Sequence, residues 1–293
     1  MRQAPIARWW RAAEGHSVVC DLCPRHCHIP DGGCGYCAVR ENRGGTLYAL
    51  AYGLPASIAI DPIEKKPLAR FMPRTRTLSF GTFGCNLGCV FCQNDSLSRG
   101  RYPEGFAEEI PPEKIIEAAR LHQCPSISYT YNEPTVFAEY AMDIAQLARR
   151  NGIKNVLVSN GYISEAAAAD LYPLIDAANI DMKGFSESFY HEMCAASLQP
   201  VLDSLCRLYR LGVHLEITTL VIPGKNDNPE ELTAWIQWVK ENLDLTVPLH
   251  FTAYHPAYLC HIPPTSPQTL YAIRDLATGL GCQNVLLGNI ARI

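Results

Sequence analysis

Residues 126–160 read SISYTYNEPTVFAEYAMDIAQLARRNGIKNVLVSN. Two β-rich runs, SISYTY (126–131) and NVLVS (155–159), bracket a stretch that reads as a helix, TVFAEYAMDIAQLARRNG (135–152). Gly152 stands where a helix-ending glycine is expected. The unit is strand–helix–strand, and its rhythm continues on both sides. TLSFGTF (77–83) precedes it; NIDM (179–182), HLEITTLVI (214–222), PLHFTAY (248–254) and NVLLG (284–288) follow. Helices are also legible at PPEKIIEAARLHQ (111–123) and NPEELTAWIQWVKENL (228–243), the second with Asn228 as cap and Pro229 at the first helical position.

Such alternation is the signature of a parallel sheet wrapped by helices, either doubly wound or a complete or partial barrel. The fold class expected is α/β: a partial parallel (β/α)6-type TIM barrel over residues 76–293, with about six strands. Residues 1–75 form a small N-terminal cysteine-rich module with short strands. Within it TLYALAYGLPASIAI (46–60) reads as two strands around a Gly-Leu-Pro turn, and DPIEKKP (61–67) as a loop. Sheets of this kind bind ligands at the C-terminal ends of their strands. Polar residues gather there: cysteines after the first strand, Asn132-Glu133-Pro134 after the second and Asn160-Gly161 after the third. Asp181 and Lys183 end the fourth, Pro223-Gly224 follows the fifth and His255 the sixth.

The 293 residues carry 25 basic and 29 acidic side chains, a net charge of −4, with 18% charged and 48% hydrophobic. That balance excludes disorder and argues against a nucleic-acid surface, which needs a basic excess. No apolar run is long enough to span a membrane, and MRQAPIARWWRAAEGHS has no apolar core of a signal peptide. A cytoplasmic location is expected. There the thirteen cysteines would stay reduced, so clustered ones read as metal or cluster ligands. Cys124, Cys194, Cys206, Cys260 and Cys282 are scattered and read as small buried hydrophobes.

GCNLGCVFCQN (84–94) follows the first strand. Its Cys85, Cys89 and Cys92, spaced C-x3-C-x2-C, can hold three corners of a cubane and leave one iron open. Gly84 and Gly88 suit a backbone wrapped closely around an inorganic core. Earlier, Cys20, Cys23, Cys27, Cys34 and Cys37 lie in one short stretch with His26 and His28 between. C-x2-C-x3-C-x9-C is compact enough for a structural zinc or a second iron–sulfur cluster.

CNLGCVFC resembles the defining motif of the radical SAM superfamily. The resemblance implies a 4Fe–4S cluster, S-adenosylmethionine chelating the open iron, and reductive cleavage to methionine and a 5′-deoxyadenosyl radical. CDLCPRHC (20–27), AIDPIEKKPL (59–68), CQN (92–94), YTYNEPTVFAEY (129–140), SNGY (159–162), NIDMKGF (179–185), TTLVIPGKNDN (218–228) and VPLHFTAYHP (247–256) narrow it. Together they are similar to the AmmeMemoRadiSam system radical SAM enzymes, relatives of the pyruvate formate-lyase (glycyl-radical enzyme) activating enzymes. Members often carry a further C-terminal cysteine-rich tail, which these residues lack. DPIEKKPL is the most diagnostic segment, and no general requirement of the superfamily explains it; Lys65 and Lys66 read equally as a solvated turn.

The resemblance gives cofactor contacts to Asn132 and Glu133, at the Gly-Gly-Glu-Pro position, and to Asn160, Asp181 and Lys183. Val158 replaces an activase Asp, which removes any carboxylate role there. His250 and His255 are further candidates, against a structural role for each. In the first group the family pattern selects Cys20, Cys23, Cys27 and Cys37, with Cys34 as an extra. The expected function is hydrogen abstraction from an unidentified, macromolecular or small-molecule, substrate, fed by a reductant such as ferredoxin or flavodoxin. The alternatives are a glycyl-radical activase acting on a partner protein and a non-catalytic iron–sulfur electron carrier, which would need no polar ring at the strand ends.

Overall fold

Thirteen strands and eight α-helices occupy residues 4–103 and 109–290, which the computed structural model describes. Strands β1 (Trp10–Ala12), β2 (Val18–Cys20) and β3 (His28–Ile29) form a small antiparallel sheet, and β4 (Arg40–Arg43) pairs with β5 (Thr46–Ala49). Eight strands then form one sheet in chain order: β6 (Ser57–Pro62), β7 (Arg76–Gly81), β8 (Ser126–Tyr129), β9 (Lys154–Ser159), β10 (Ala177–Asp181), β11 (His214–Val221), β12 (Leu249–Ala253) and β13 (Val285–Gly288). All neighbours run parallel except β6 and β7. Helices α1 (Asp95–Ser98), α2 (Pro112–Leu121), α3 (Ala138–Arg150), α4 (Glu165–Leu171), α5 (Glu187–Cys194), α6 (Gln199–Arg210), α7 (Pro229–Asn242) and α8 (Pro267–Gly279) fill the connections. The result is an α/β fold with a mostly parallel sheet, the partial-barrel architecture expected.

Gly152 ends α3 in the left-handed conformation, and the Asn228 side chain accepts from the Glu230 amide to open α7. Two details differ from the sequence reading. The sheet has seven parallel strands, the run at 284–288 supplying the last. The two strands of 46–60 do not pair with each other, and Ser57–Pro62 joins the large sheet ahead of residue 76. Local alternation marks a strand but not the sheet that receives it.

The two faces of the sheet differ. Phe80 packs its ring against Phe137 and Tyr140 on the helix side, so Thr77, Ser79 and Gly81 face the concave side. On that side the segment after β6 closes the barrel like a plug. Ile63 and Leu68 are fully buried against Val156 and Ala177. Pro67 accepts from the Asn179 side chain, and the Ala69 and Arg70 amides donate to the Glu216 carboxylate at 2.9 and 2.8 Å. The stretch read as a loop is thus the floor of the barrel, with one turn of 3-10 helix at Ile63–Lys65.

Candidate active site at the strand ends

The loop leaving β7 is held from three directions. Asn132, after β8, accepts from the Thr82 amide at 2.9 Å and donates to Thr82 Oγ1 and the Gly84 carbonyl at 3.0 and 2.7 Å. From the far side the Gly88 and Val90 amides donate to the Cys194 and Met193 carbonyls at the end of α5. From above comes the N-terminal module: a side chain at Gly84 would strike the Cys37 carbonyl and Val39, and one at Gly88 would strike the Tyr36 hydroxyl. Asn132 therefore braces the cysteine loop directly.

Cys85 and Cys92 are half-buried and Cys89 is buried. Cys85 Sγ lies 3.4 Å from the Leu87 amide and 3.8 Å from Asn160 Nδ2. Donors aimed at a sulfur stabilise it as a thiolate, as they do for cluster ligands. Burial and the Glu133 charge push the Cys85 thiol up, and a hydrogen bond to Cys194 with burial does so for Cys89. Cys194, read from the sequence as an isolated hydrophobe, thus belongs beside the loop. Among the described residues no three His, Cys, Asp or Glu side chains gather closely enough to enclose a single metal ion. A zinc ion would draw its ligands together at about 2.3 Å from one centre. A cubane instead distributes cysteines over separate iron corners, so three thiols on a glycine-relieved loop with amides at a sulfur fit a cluster.

Asn160 and Glu133 form one network rather than two free contacts. The Asn160 amide donates to Glu133 Oε2 at 2.8 Å, while its side chain donates to Asn86 Oδ1 at 3.0 Å and accepts from the Tyr162 amide. Glu133 Oε1 accepts from the Thr135 amide, Thr135 Oγ1 and Ser159 Oγ at 2.8, 2.7 and 2.8 Å. Burial raises the Glu133 carboxyl, and these donors pull it back without cancelling the effect. Three of these bonds fall on Oε1 and one on Oε2, so Oε2 keeps an acceptor position. Through them Glu133 binds the exit of β8 to that of β9.

Asp181 and Lys183 do meet, Oδ2 to Nζ at 2.8 Å. The Asp181 side chain keeps 35% of its surface exposed. Burial disfavours the Lys183 charge, but Asp181 and the nearby Cys89 sulfur outweigh it and raise its pKa. His250 and His255 are separated. His250 is buried on the concave face with Nε2 2.6 Å from Glu216 Oε2. His255 is exposed beyond the end of β12. Glu216 was not singled out in HLEITTLVI, although its place on an alternating strand is the one available signal. Burial would raise it, but His214, His250 and two backbone amides hold it down to about 2.

The first cysteine group packs against this loop. Cys20 and Cys23 are buried, Cys27 and Cys37 half-buried, and Cys34 exposed. The first four lie within one another's electrostatic field, and burial pushes Cys23 and Cys37 up to about 12. Arg25 stacks 3.5 Å from the Tyr36 ring centre and donates to the Asn86 carbonyl inside the cysteine loop. Asn86, beside Cys23, therefore links the first group through Asn160 to Cys85. The module is fixed to the barrel by the buried Arg40–Glu139 ion pair at 2.5 Å and by the Arg8–Asp170 pair at 2.8 Å.

Comparison with known proteins agrees. The profile of the Radical SAM superfamily matches residues 80–236. The chain is 43% identical over 285 residues, 97% of its length and 85% of the other's, to the uncharacterized protein MJ0808 of Methanocaldococcus jannaschii. It is 28% identical over 153 residues, 51% of its length and 57% of the other's, to MJ1632 of that organism, provisionally named a glycyl-radical enzyme activating enzyme. Streptococcus suis SuiB, solved with precursor peptide SuiA, shares the fold with TM-score 0.55 at 12% identity, covering 73% of this chain and 48% of SuiB. Members of the superfamily use a 4Fe–4S cluster and S-adenosylmethionine, and the cysteine triad lies inside the matched region. With that match spanning more than half its length, this chain belongs to the radical SAM superfamily.

Proposed function

We propose that the chain is an enzyme of the AmmeMemoRadiSam type, in which Cys85, Cys89 and Cys92 hold the cluster. Asp181, Lys183, Asn160 and His255 border the seat of S-adenosylmethionine. When bound, this pair of cofactors supplies one-electron cleavage of the sulfonium to a 5′-deoxyadenosyl radical that takes hydrogen from a substrate. The chain's own work is positioning. Asn132 holds the loop, Glu133 joins two strand ends, and Asn160 offers a hydrogen bond to Cys85 Sγ. Lys183, kept charged by Asp181, suits a carboxylate. The observation that carries the reading is the convergence of the cysteine loop, Asn160 and the Asp181–Lys183 pair at the C-terminal ends of adjacent strands.

A macromolecular substrate is supported by the open sheet, whose edge strands β6 and β13 are not joined. Among the described residues, three buried polar atoms facing the concave side, Ser126 Oγ, Asn179 Oδ1 and Thr218 Oγ1, have no partner, as expected where ligand or water completes the lining. A second reading, activation of a glycyl-radical partner protein, is favoured by the 28% identical relative and weakened by Val158. Cys20, Cys23, Cys27 and Cys37 form a second centre, structural or electron-relaying, holding zinc or a second iron–sulfur cluster. A cytoplasmic setting suits thirteen free thiols, and no described helix is long and apolar enough to cross a membrane. Anaerobic incubation with S-adenosylmethionine and a chemical reductant tests the core of the reading: 5′-deoxyadenosine should accumulate. None from fully iron-loaded protein would refute it.

A further inference from the structure

Reductive cleavage, on the function just proposed, requires an electron to reach the loop from outside, and one face of the molecule is built for its delivery. Tyr36 lies directly on the Cys85–Cys92 loop, its hydroxyl against Gly88, and is 43% exposed on its other side. Arg25 covers its ring at 3.5 Å and bonds the loop carbonyl of Asn86. Arg99, just past α1, stands 5.4 Å from the same ring. Arg101 is exposed, and its charge reaches Cys34, two residues from Tyr36.

Among the described residues, none of these three arginines pairs with a carboxylate. Of the neighbouring described acids, Asp21 is engaged by Arg11 and His26 and Glu41 by Arg43, which leaves Asp95, four residues before Arg99, as one carboxylate beside three guanidinium groups. In a chain of net charge −4, this arginine excess around an exposed aromatic on the cysteine loop is a local reversal of sign. We propose that Arg25, Tyr36, Arg99 and Arg101 form the docking face for an acidic one-electron carrier protein, flavodoxin or ferredoxin in type. The carrier gives up one electron and is oxidised by one; the cluster held by the loop is reduced by one, and no proton or atom is exchanged. The arginines contribute long-range attraction and orientation, which act on association more than on the chemistry. Tyr36 supplies a flat apolar contact at the centre of a charged rim.

The test uses the iron-loaded holoenzyme and its Arg99→Gln/Arg101→Gln variant, which keeps Arg25 and every described hydrogen bond that holds the loop. Binding to purified flavodoxin and to a 2[4Fe–4S] ferredoxin is measured optically, without turnover, at about 50 and about 500 mM salt. Separately, 5′-deoxyadenosine formation is driven by each reduced carrier or by titanium(III) citrate. Wild type should bind at least one carrier at low salt and lose most of that binding at high salt. The variant should bind about tenfold more weakly and be reduced by that carrier about tenfold more slowly. Its rate with titanium(III) citrate should stay within about twofold of wild type, since the chemical reductant needs no docking face.

Wild-type binding to neither carrier, binding indifferent to salt, or a variant equal to wild type overturns the proposal. So does an equal fall with both kinds of reductant, which would assign the arginines to the loop's integrity. If neither protein makes 5′-deoxyadenosine with titanium(III) citrate, the proposed function fails, while the binding arm still decides the docking face.

Discussion

Replacing Glu133 separates two roles that the sequence motif alone cannot distinguish. Its carboxylate accepts four hydrogen bonds at 2.7–2.8 Å and is 1% exposed. In Glu133→Ala the hydroxyls of Thr135 and Ser159 can rotate toward other acceptors. The amides of Thr135 and Asn160 cannot, and each buried donor without an acceptor costs about 1–3 kcal/mol. Two of them give roughly 2–6 kcal/mol, and a central loss of about 4 kcal/mol lowers the melting temperature of a chain this size by roughly 8 °C. Glu133→Gln keeps one carbonyl oxygen but turns an amine toward donors, so it should lose about half as much. Thermal unfolding of wild type and both variants gives these values, with S-adenosylmethionine affinity measured on the same preparations. If Glu133→Ala melts within about 1 °C of wild type yet binds the cofactor weakly, the bracket reasoning is refuted. The carboxylate would then act by contact alone.

Replacing Cys85, Cys89 or Cys92 with Ala should abolish 5′-deoxyadenosine formation while circular dichroism shows the sheet still folded; product from the triple variant would contradict the ligand assignment. Cys20→Ala or Cys37→Ala should destabilise the N-terminal module without removing the barrel cluster. Metal analysis of the anaerobically purified wild type decides the first site: about eight irons would make it a second cubane and about four irons with one zinc a staple, while about four irons and no zinc would show that it binds no metal. Glu216 predicts a pH dependence. Its carboxyl falls from 4.5 to about 2 on folding, so its stabilisation is present above the unfolded value and is lost as pH drops from about 5 toward 2. About 3 kcal/mol of unfolding free energy should disappear over that window, and Glu216→Gln should flatten it; an unchanged slope in the variant would show that the floor is held otherwise.

The strand–helix rhythm was legible because parallel strands buried on both faces and amphipathic helices differ in period. All seven β-rich runs became strands, and the cysteine loop, Asn160 and the Asp181–Lys183 pair lie together at their ends. Sequence could not assign partners. Glu133 and Asn132 resemble cofactor contacts in a linear motif, yet their hydrogen bonds go to Ser159, Asn160, Thr82 and Gly84, up to 50 residues away. His250 and Glu216 are 34 residues apart and meet because β11 and β12 are neighbours. Cys194 looked isolated because its companion, Cys89, lies in another element. The first cysteine group was legible as a cluster, but its contact with the Cys85–Cys92 loop rests on Arg25 and Tyr36, which carry no metal signature.

The DPIEKKPL segment was the piece with a family resemblance and no chemical reason, and its position in the barrel supplies one. Asp61 accepts from Lys65, Lys66 and the Tyr131 hydroxyl at 2.8, 2.7 and 2.6 Å. Lys66 is 2% exposed and also sits 4.3 Å from the Tyr131 ring centre. A buried pair of this kind adds little net stability, because desolvation offsets most of the attraction. What it does is fix position. Tyr131 has φ of 69°, a left-handed conformation disfavoured for a bulky residue, and it immediately precedes Asn132. Its carbonyl accepts from Asn94, two residues beyond Cys92. The floor motif thus grips the side chain whose backbone aims Asn132 at Thr82 and Gly84, so the bottom of the barrel and its cysteine loop share one strut. A segment with no ligand of its own belongs with the cysteines because it sets where their loop sits.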